Sequence, residues 1–419
     1  MESSFAANHL SIPMASQGLF LFFEGLAATV IDSQVLILAR ELKDNGLSDL
    51  EIWSFACSPR KYADSLARLM YARHLSRCTV KVFRGIPPSL PFSPLFNFFI
   101  VSFHLIKNRK TVEVIHARTD YSAAVCGLLK FFKSFQLIWD CRGDAEAEFR
   151  TFYQSRNIVE RFYGWVQILQ RRWLRHMAAA FCDRAIFVSA ELKKAKGYGI
   201  KKKVFKIIPS TASEKIFYYD EQLRRKTREK LGYSEKNTLF LFSGSLSSYQ
   251  CFSESIDLFT HSYVKDPDCR LLILTPESSK AKERLAALPQ ETFFLGCATY
   301  EEMNAYLNAS DFGFLMRRED PLNRVAAPTK YAEYCLTGLP VIMTKSIPHY
   351  YDLAKKHKNL CEIIEGEIHY IQVNRKEISE TYRNIVSLQS VWDKYVNIYS
   401  PKSAENGSTL ERSENKEIR

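Results

Sequence analysis

Ten cysteines lie between Cys57 and Cys361, but the 419-residue chain has no C-x-x-C pair and no close cluster of histidine and cysteine. Such spacing suits neither a zinc site nor a disulfide framework, and a reduced, cytosolic compartment is expected. No segment offers the roughly 18 uninterrupted apolar residues that a membrane-spanning helix needs. Met1-Glu-Ser-Ser-Phe5 lacks the basic region of a secretory leader. The pair Gly197-Tyr-Gly199 is followed by lysines and has no third glycine, so the dinucleotide fingerprint of a dehydrogenase is missing. Asp266-Pro-Asp268 imitates an Asp-x-Asp metal motif, yet it precedes its strand instead of following it, and no metal is expected. Neither a helix-turn-helix nor an interleaving of aromatic and basic residues is visible, so no nucleic-acid partner is expected.

What is present is positive charge and a regular alternation. A net charge of +12 points to an anionic partner, and nucleic acid, anionic lipid and sugar nucleotides all fit its sign. The length, with 46% apolar and 25% charged residues, suits two globular domains plus tails. Short apolar runs at 19–23, 50–55, 112–115, 136–140, 185–188 and 204–208 are separated by helix-like segments such as 33–42. A second series falls at 238–242, 270–274, 292–295, 312–315 and 340–343. Strands separated by helices make parallel sheets, so the expected class is α/β, with two Rossmann-like doubly wound domains facing across a cleft. Ligands then bind at the carboxyl ends of the strands. The expected division is a first domain at 1–210, a linker with one solvated helix at 211–237, a second domain at 238–375, a helix at 376–400 returning to the first domain, and a disordered polar tail at 401–419.

The segment from Asp320 to Ile342 reads as a loop, a helix start, a short helix and a buried strand. Pro328 fits the first turn of a helix, where the N–H groups that follow have no partner within the helix. Those donors and the positive end of the helix dipole favour a phosphate. Lys330 and Arg324 add positive charge, and Glu333, one turn on, can accept two hydrogen bonds from a vicinal diol such as a ribose. Gly338 ends the helix, and 340–343 is apolar enough for a central strand. The same features also occur in α/β proteins without any ligand there.

With Pro328, Lys330, Glu333, Tyr334, Gly338, Pro340 and Val341, the segment resembles the nucleotide-sugar site of retaining family-4 type glycosyltransferases, in the branch that carries Pro-x-Lys-x-x-Glu-Tyr followed by Gly-x-Pro-Val. The resemblance implies a GT-B fold, with an acceptor domain first and a nucleotide-sugar domain second. It implies a nucleotide diphosphate sugar as donor, UDP- or GDP-linked, and no other cofactor. Glu333 would hold the ribose. Lys330 and Arg324, with the helix start at Pro328 and Thr329, would hold the diphosphate, while Gly244 and Ser245 cover it. The backbone at Gly296, Cys297 and Ala298 would lie against the base, although Thr299 with Glu302 also reads as an ordinary helix cap.

Several positions depart from the family pattern. Ser245 and Gln250 stand where it has an arginine and a lysine, and Val325 stands where it has the first of two glutamates spaced eight apart. Diphosphate binding then falls to Arg324, Lys330, or Arg317 and Arg318, and donor-sugar contacts to Glu319, Asp320, Asn323 or Arg324, of which Asn323 and Arg324 are preferred because Asp320 precedes Pro321 and also reads as a turn opener. In the first half, Asp140-Cys-Arg-Gly143 follows a strand, with Arg142 where the family commonly has a histidine. A guanidinium cannot act as a base, but it can clamp a phosphate or the charge developing on a leaving diphosphate. Asp140 would orient it or meet the acceptor; the plainer alternative is an ion pair at a strand end. His116 and Arg118 share that strand-end placement, and Glu24-Gly25 opens the loop that resembles the family's acceptor loop.

The expected activity is transfer of a sugar, with retention, to a growing, lipid-linked cell-surface glycan of the lipopolysaccharide or capsule type. Asp140, Arg142, Arg324 and Lys330 are the catalytic candidates. The expected place is the cytoplasm, at the inner face of the plasma membrane. Peripheral contact with anionic membrane is suggested by the aromatic segment 92–106 and its basic flank 107–110, with a second basic stretch at Arg156, Arg161, Arg171, Arg172 and Arg175. A buried helix and a solvated face are the alternatives. A non-catalytic partner of a glycan-synthesis complex, and less readily a nucleic-acid binder, are the rival readings.

Overall fold

The structure is a computed structural model that describes residues 16–28, 30–108, 111–153, 157–197 and 203–400. The Met1–Phe5 region, Arg109, Lys110, Arg156, Gly199 and the tail at 401–419 lie outside the described residues.

Two seven-stranded sheets are built. The first contains β1 (Ser16–Phe22), β2 (Ser48–Ala56), β3 (Val80–Arg84), β4 (Val114–Arg118), β5 (Gln136–Cys141), β6 (Arg184–Phe187) and β7 (Val204–Ile207). The second contains β8 (Thr238–Ser243), β9 (Cys269–Leu274), β10 (Phe293–Gly296), β11 (Phe312–Phe314), β12 (Val341–Ile342), β13 (Leu360–Ile364) and β14 (Glu367–His369). The orders are β3-β2-β1-β4-β5-β6-β7 and β10-β9-β8-β11-β12-β13-β14, and every pairing is parallel except β13 with β14. Strand order therefore reverses between β1 and β4 and again between β8 and β11, the two places where open α/β sheets leave a crevice. This is the expected pair of Rossmann-like doubly wound domains.

Alternation along the central strands produces the layers. Leu19 and Leu21 of β1 enter one apolar core, while Phe20 and Phe22 enter the core on the opposite face. In β8, Leu239 and Leu241 divide from Phe240 and Phe242 in the same way. The strands that periodicity misses are β3, β13 and β14. Only Val80 of β3 and Ile368 of β14 are fully buried, and β13 turns outward after Leu360 and Cys361. Strands near a sheet edge need no continuous apolar run.

The charge run at 224–226 reads as a solvated face, and here the structure differs. The Glu221–Leu231 helix docks on the Met303–Ala309 helix, and Arg228 is fully buried, donating to the carbonyls of Ala309 and Ser234 while facing Asp311 at 3.2 Å. An arginine fork satisfies the orphan carbonyls at a helix end. At the other end of the chain, the Trp392–Tyr399 helix packs Tyr395, Ile398 and Tyr399 into the first domain's core. Arg184 fixes it through the carbonyls of Asn397 and Ser400, both at 3.1 Å.

The two domains also meet at Val325. Its side chain joins the first domain's core, and its carbonyl accepts a 2.9 Å hydrogen bond from Ser189 Oγ. The position where the family pattern has a glutamate is thus an interdomain anchor. Ser189→Ala leaves that buried carbonyl without its donor, so denaturant unfolding should show a loss of about 1–3 kcal/mol.

Candidate functional site

The loop after β8 and the start of the Thr329–Leu336 helix form one unit at the second switch point. Pro328 is the cap residue, with φ −67° and ψ 129°, and the helix begins at Thr329. The N–H groups of Thr329 and Lys330 therefore precede the first intrahelical bond. Lys330 does not point to solvent. Its ammonium donates to the carbonyl of Ser243 and, at 2.6 Å, to Gln250 Oε1. Gln250 Nε2 in turn donates to Ser245 Oγ at 2.7 Å, and Ser245 Oγ lies 3.0 Å from Ser247 Oγ.

This chain of contacts accounts for the departures from the family pattern. Lys330 fills the loop from the helix side, so a lysine at 250 or an arginine at 245 would set like charges against it. A glutamine, with an acceptor at one end and donors at the other, fits instead. Gly244 completes the arrangement. Its φ of +113° lies in the region that favours glycine, and a Cβ there would collide with the Lys330 side chain. Tyr334 supports the unit from below, its hydroxyl 3.0 Å from Ser243 Oγ, and Glu277 pins the loop by accepting from the Leu246 amide at 2.9 Å.

The electrostatics are those of a site poised for an anion. Burial, with the nearby Arg317, pushes the Lys330 ammonium down to about 7, against the opposing effect of Glu333. Arg317, just past β11, is buried and donates to the carbonyl of Met316 at 2.8 Å. Its guanidinium lies 5.8 Å from the Tyr249 ring, and among the described residues no carboxylate pairs with it. Burial holds it below the usual arginine range. Glu333 is only 7% exposed. Burial pushes its carboxyl up to about 7, Lys330 acts in the other direction, and Asp32 of the first domain adds to the rise. Among the described residues no group donates a hydrogen bond to the Glu333 carboxyl, which keeps a narrow access to solvent.

Asp32 opens a π-helical turn, Asp32–Ile37, and is buried against Arg68 at 2.8 Å. Its burial raises the carboxyl to about 6 despite that pair. Tyr300, which packs against cores of both domains, is felt by both Glu333 and Asp32. Tyr300, two residues past Ala298, is the part of this loop that comes near Glu333, while Ala298 packs on the second domain's core. Cys297 is exposed, and Thr299 with Glu302 forms the reciprocal cap, at 2.8 and 3.3 Å.

Other candidates sit apart. Arg324, at the end of the Pro321–Arg324 helix, is 60% exposed and pairs with Glu319 at 2.8 Å. Arg318 pairs with Glu254 at 2.9 Å on the surface. No ion pair or hydrogen bond joins either to Lys330. Asp140 and Arg142 meet at 2.8 Å, with His116 Nε2 at 3.2 Å from Asp140 and His116 Nδ1 at 2.6 Å from the Tyr399 hydroxyl. Burial would raise Asp140, but Arg142 and His116 outweigh it and hold the carboxyl well below the usual range. The cluster is roofed by Tyr395 and Tyr399 of the returning helix and is felt by Tyr350 of the second domain. Arg118, bonded to Glu24 and to Gln34, extends it at the first switch point. Asp32, Glu277 and Tyr300 carry no motif signal; only the folding of distant segments brings them to the unit built by Lys330 and Glu333. Asp266 caps its own turn, accepting from the Asp268 amide at 3.0 Å.

With this geometry, the fold is that of the GT-B class, two facing Rossmann-like domains. No family model matches the sequence, and no curated protein matches it. Among solved structures, sucrose-phosphate synthase from Thermosynechococcus elongatus superposes with a TM-score of 0.59 at 12% identity, covering 92% of this chain and 98% of that one. HepE from Anabaena, solved with UDP-glucose, gives 0.58 at 17% identity over 92% and 93%. The catalytic domain of starch synthase IV from Arabidopsis thaliana, solved with ADP and acarbose, gives 0.55 at 12% over 92% and 99%.

The raised Glu333 carboxyl has a consequence for stability. A carboxyl shifted up on folding stabilises fully below its unfolded value of 4.5, and the contribution is lost as pH rises through about 7. Glu333→Gln should therefore remove a downward slope in melting temperature between pH 5 and 7, read as the difference between the two proteins' curves.

Proposed function

We propose that this protein is a glycosyltransferase that takes a sugar from a nucleotide diphosphate sugar and passes it, with retention, to a growing, lipid-linked glycan, as a member of the family-4 type. The observation that carries this reading is Glu333, a largely buried carboxyl to which no described residue donates, near Lys330 and Arg317, neither of which makes an ion pair with a described carboxylate. A ribose diol supplies two O–H donors to Glu333, and a diphosphate supplies the anion that Lys330 and Arg317 lack. The free amides at Thr329 and Lys330 add to that cradle. The HepE structure holds UDP-glucose on the same fold, which supports a nucleotide sugar here. UDP- or GDP-linked donors fit equally.

In this reading the leaving diphosphate gathers negative charge in a dry site, where fixed cations stabilise it most. Arg317 takes the duty that the family pattern gives to the loop arginine, and Lys330 takes that of the loop lysine. Asp140 and Arg142 shape the acceptor side of the cleft. The reaction would run at the cytoplasmic face of a membrane, where lipid-linked acceptors are found.

Losing the charge-assisted bonds to a ribose should cost about 1.5–3 kcal/mol, so Glu333→Ala should weaken UDP or GDP binding roughly 10- to 150-fold in calorimetric titration. Unchanged affinity for both would sink the assignment. Binding without any hydrolysis or transfer of a sugar nucleotide would favour the non-catalytic partner instead.

Arg317 and Arg324 separate two versions of the site. Arg317→Gln should weaken UDP more than about tenfold and UMP far less, because the guanidinium meets the diphosphate. Arg324→Ala, which removes an exposed and already paired cation, should stay within about fivefold. The reverse ranking would move the diphosphate to Arg324.

A further inference from the structure

Three helices cover one face of the first sheet: Ser93–Lys107, Thr119–Leu129 and Ile158–Phe181. The first buries Asn97, Phe98, Val101 and Leu105 against the core. Its outer stripe, which on a globular surface should be polar, is Phe96, Phe99, Phe103 and Ile106, between 56% and 70% exposed. The third helix repeats the pattern. It buries Gln167, Arg171 and Leu174 and turns Phe162, Trp165, Leu169 and Trp173 outward, between 40% and 67% exposed. Phe131 and Phe132 stand out between them, 69% and 78% exposed. The spacings are those of one helical face in each case.

The stripes belong to one surface. Gln167 and Tyr163 donate to the carbonyl of Ser89, at 2.6 and 3.2 Å, and Arg171 to that of Pro88 at 3.0 Å, so the approach to the first helix is tied to the third. The ring of Phe98 lies 5.9 Å from that of Phe132. So much exposed apolar area on neighbouring helices of one face marks a binding surface.

Charge selects its occupant. The two striped helices carry Lys107, Arg161, Arg171, Arg172 and Arg175 against a single acid, Glu160, although Arg171 and Arg175 are buried and Glu146 pairs with Arg172 and Arg175. Of these, Lys107 and Arg161 lie on the exposed side with the aromatic residues. Phenylalanine and tryptophan with bordering cations is the composition that inserts into a lipid interface and is held there by anionic headgroups. Among the described residues no helix is long and apolar enough to cross a membrane, so contact would be from one side.

We infer that this face docks on an anionic lipid surface, with the aromatic stripes of both helices inserted at the headgroup level. The segment that follows β3, between Arg84 and Ser93, and the start of the third helix lie on the side of the sheet where the strands end, so docking brings the lipid to the mouth of the cleft. That last point rests on the transferase reading; the docking itself does not.

Flotation with vesicles tests it without any nucleotide. The protein should float with phosphatidylcholine vesicles containing phosphatidylglycerol, and less with phosphatidylcholine alone or at high salt. Replacing Phe96, Phe99 and Phe103 together by serine should lower binding more than about tenfold, as should Phe162→Ser with Trp165→Ser. Val264→Ser, an equally exposed apolar residue on the second domain, should change nothing. All these residues are exposed, so melting temperatures should stay close to the parent's. No flotation with either vesicle, or flotation indifferent to the aromatic changes, would overturn the inference. So would a dimer in sedimentation that those changes dissolve, since a second copy would then be the occupant. A failed nucleotide titration with intact vesicle binding would count against the transferase reading alone.

Discussion

The second domain's site is organised around one buried ammonium. Lys330 crosses from the start of its helix to the loop after β8 and is neutralised by a carbonyl and an amide oxygen instead of a carboxylate. Desolvating a charge that way is costly, and the neighbourhood is shaped by the cost. Gly244 leaves the volume the side chain occupies, Tyr334 steadies Ser243, and Gln250 supplies the second acceptor. Arg317 raises the local positive potential further. A buried cation with neutral partners is expensive for stability, and that same property suits it to the anion proposed above.

The departures from the family pattern become one compensated change instead of scattered losses. A neutral relay from Lys330 through Gln250 to Ser245 replaces two loop cations. Arg317 stands in reserve at the end of β11. Val325, in place of a glutamate, joins the first domain's core and accepts from Ser189. An apolar interdomain contact thus occupies the position where the family pattern has a glutamate. Asp32 and Tyr300 close the other side of the same boundary. The boundary between the domains therefore combines polar groups with one apolar contact at Val325.

Much of the architecture is legible from the sequence. Apolar runs at β1, β2, β8 and β9 are buried on both faces, and such runs are visible without tertiary information. The edge strands β3 and β14 are half solvated and leave no run to read. The Glu221–Leu231 helix misleads because a string of arginines looks solvated until helix carbonyls are placed against it. At the site, Pro328, Lys330, Glu333 and Gly338 are readable because each has a local reason: a helix start, a facing side chain one turn on, and a left-handed end at φ +65°. Arg317 is readable only as one of several nearby cations.

Sequence alone determined the α/β class, the two doubly wound halves and the helix that presents Lys330 and Glu333, because helix and strand periods and end signals are local properties. It also placed the aromatic run at 92–106, though not which of its faces is free. Tertiary structure decided which cations lose their partners. Arg318 and Arg324 find Glu254 and Glu319 at the surface, whereas Arg317 is buried just past β11 and pairs with no carboxylate among the described residues. It likewise brought Asp32, distant in sequence, near enough to Glu333 to raise its carboxyl. Burial and long-range charge are set by what the fold brings alongside, and no single segment contains that information.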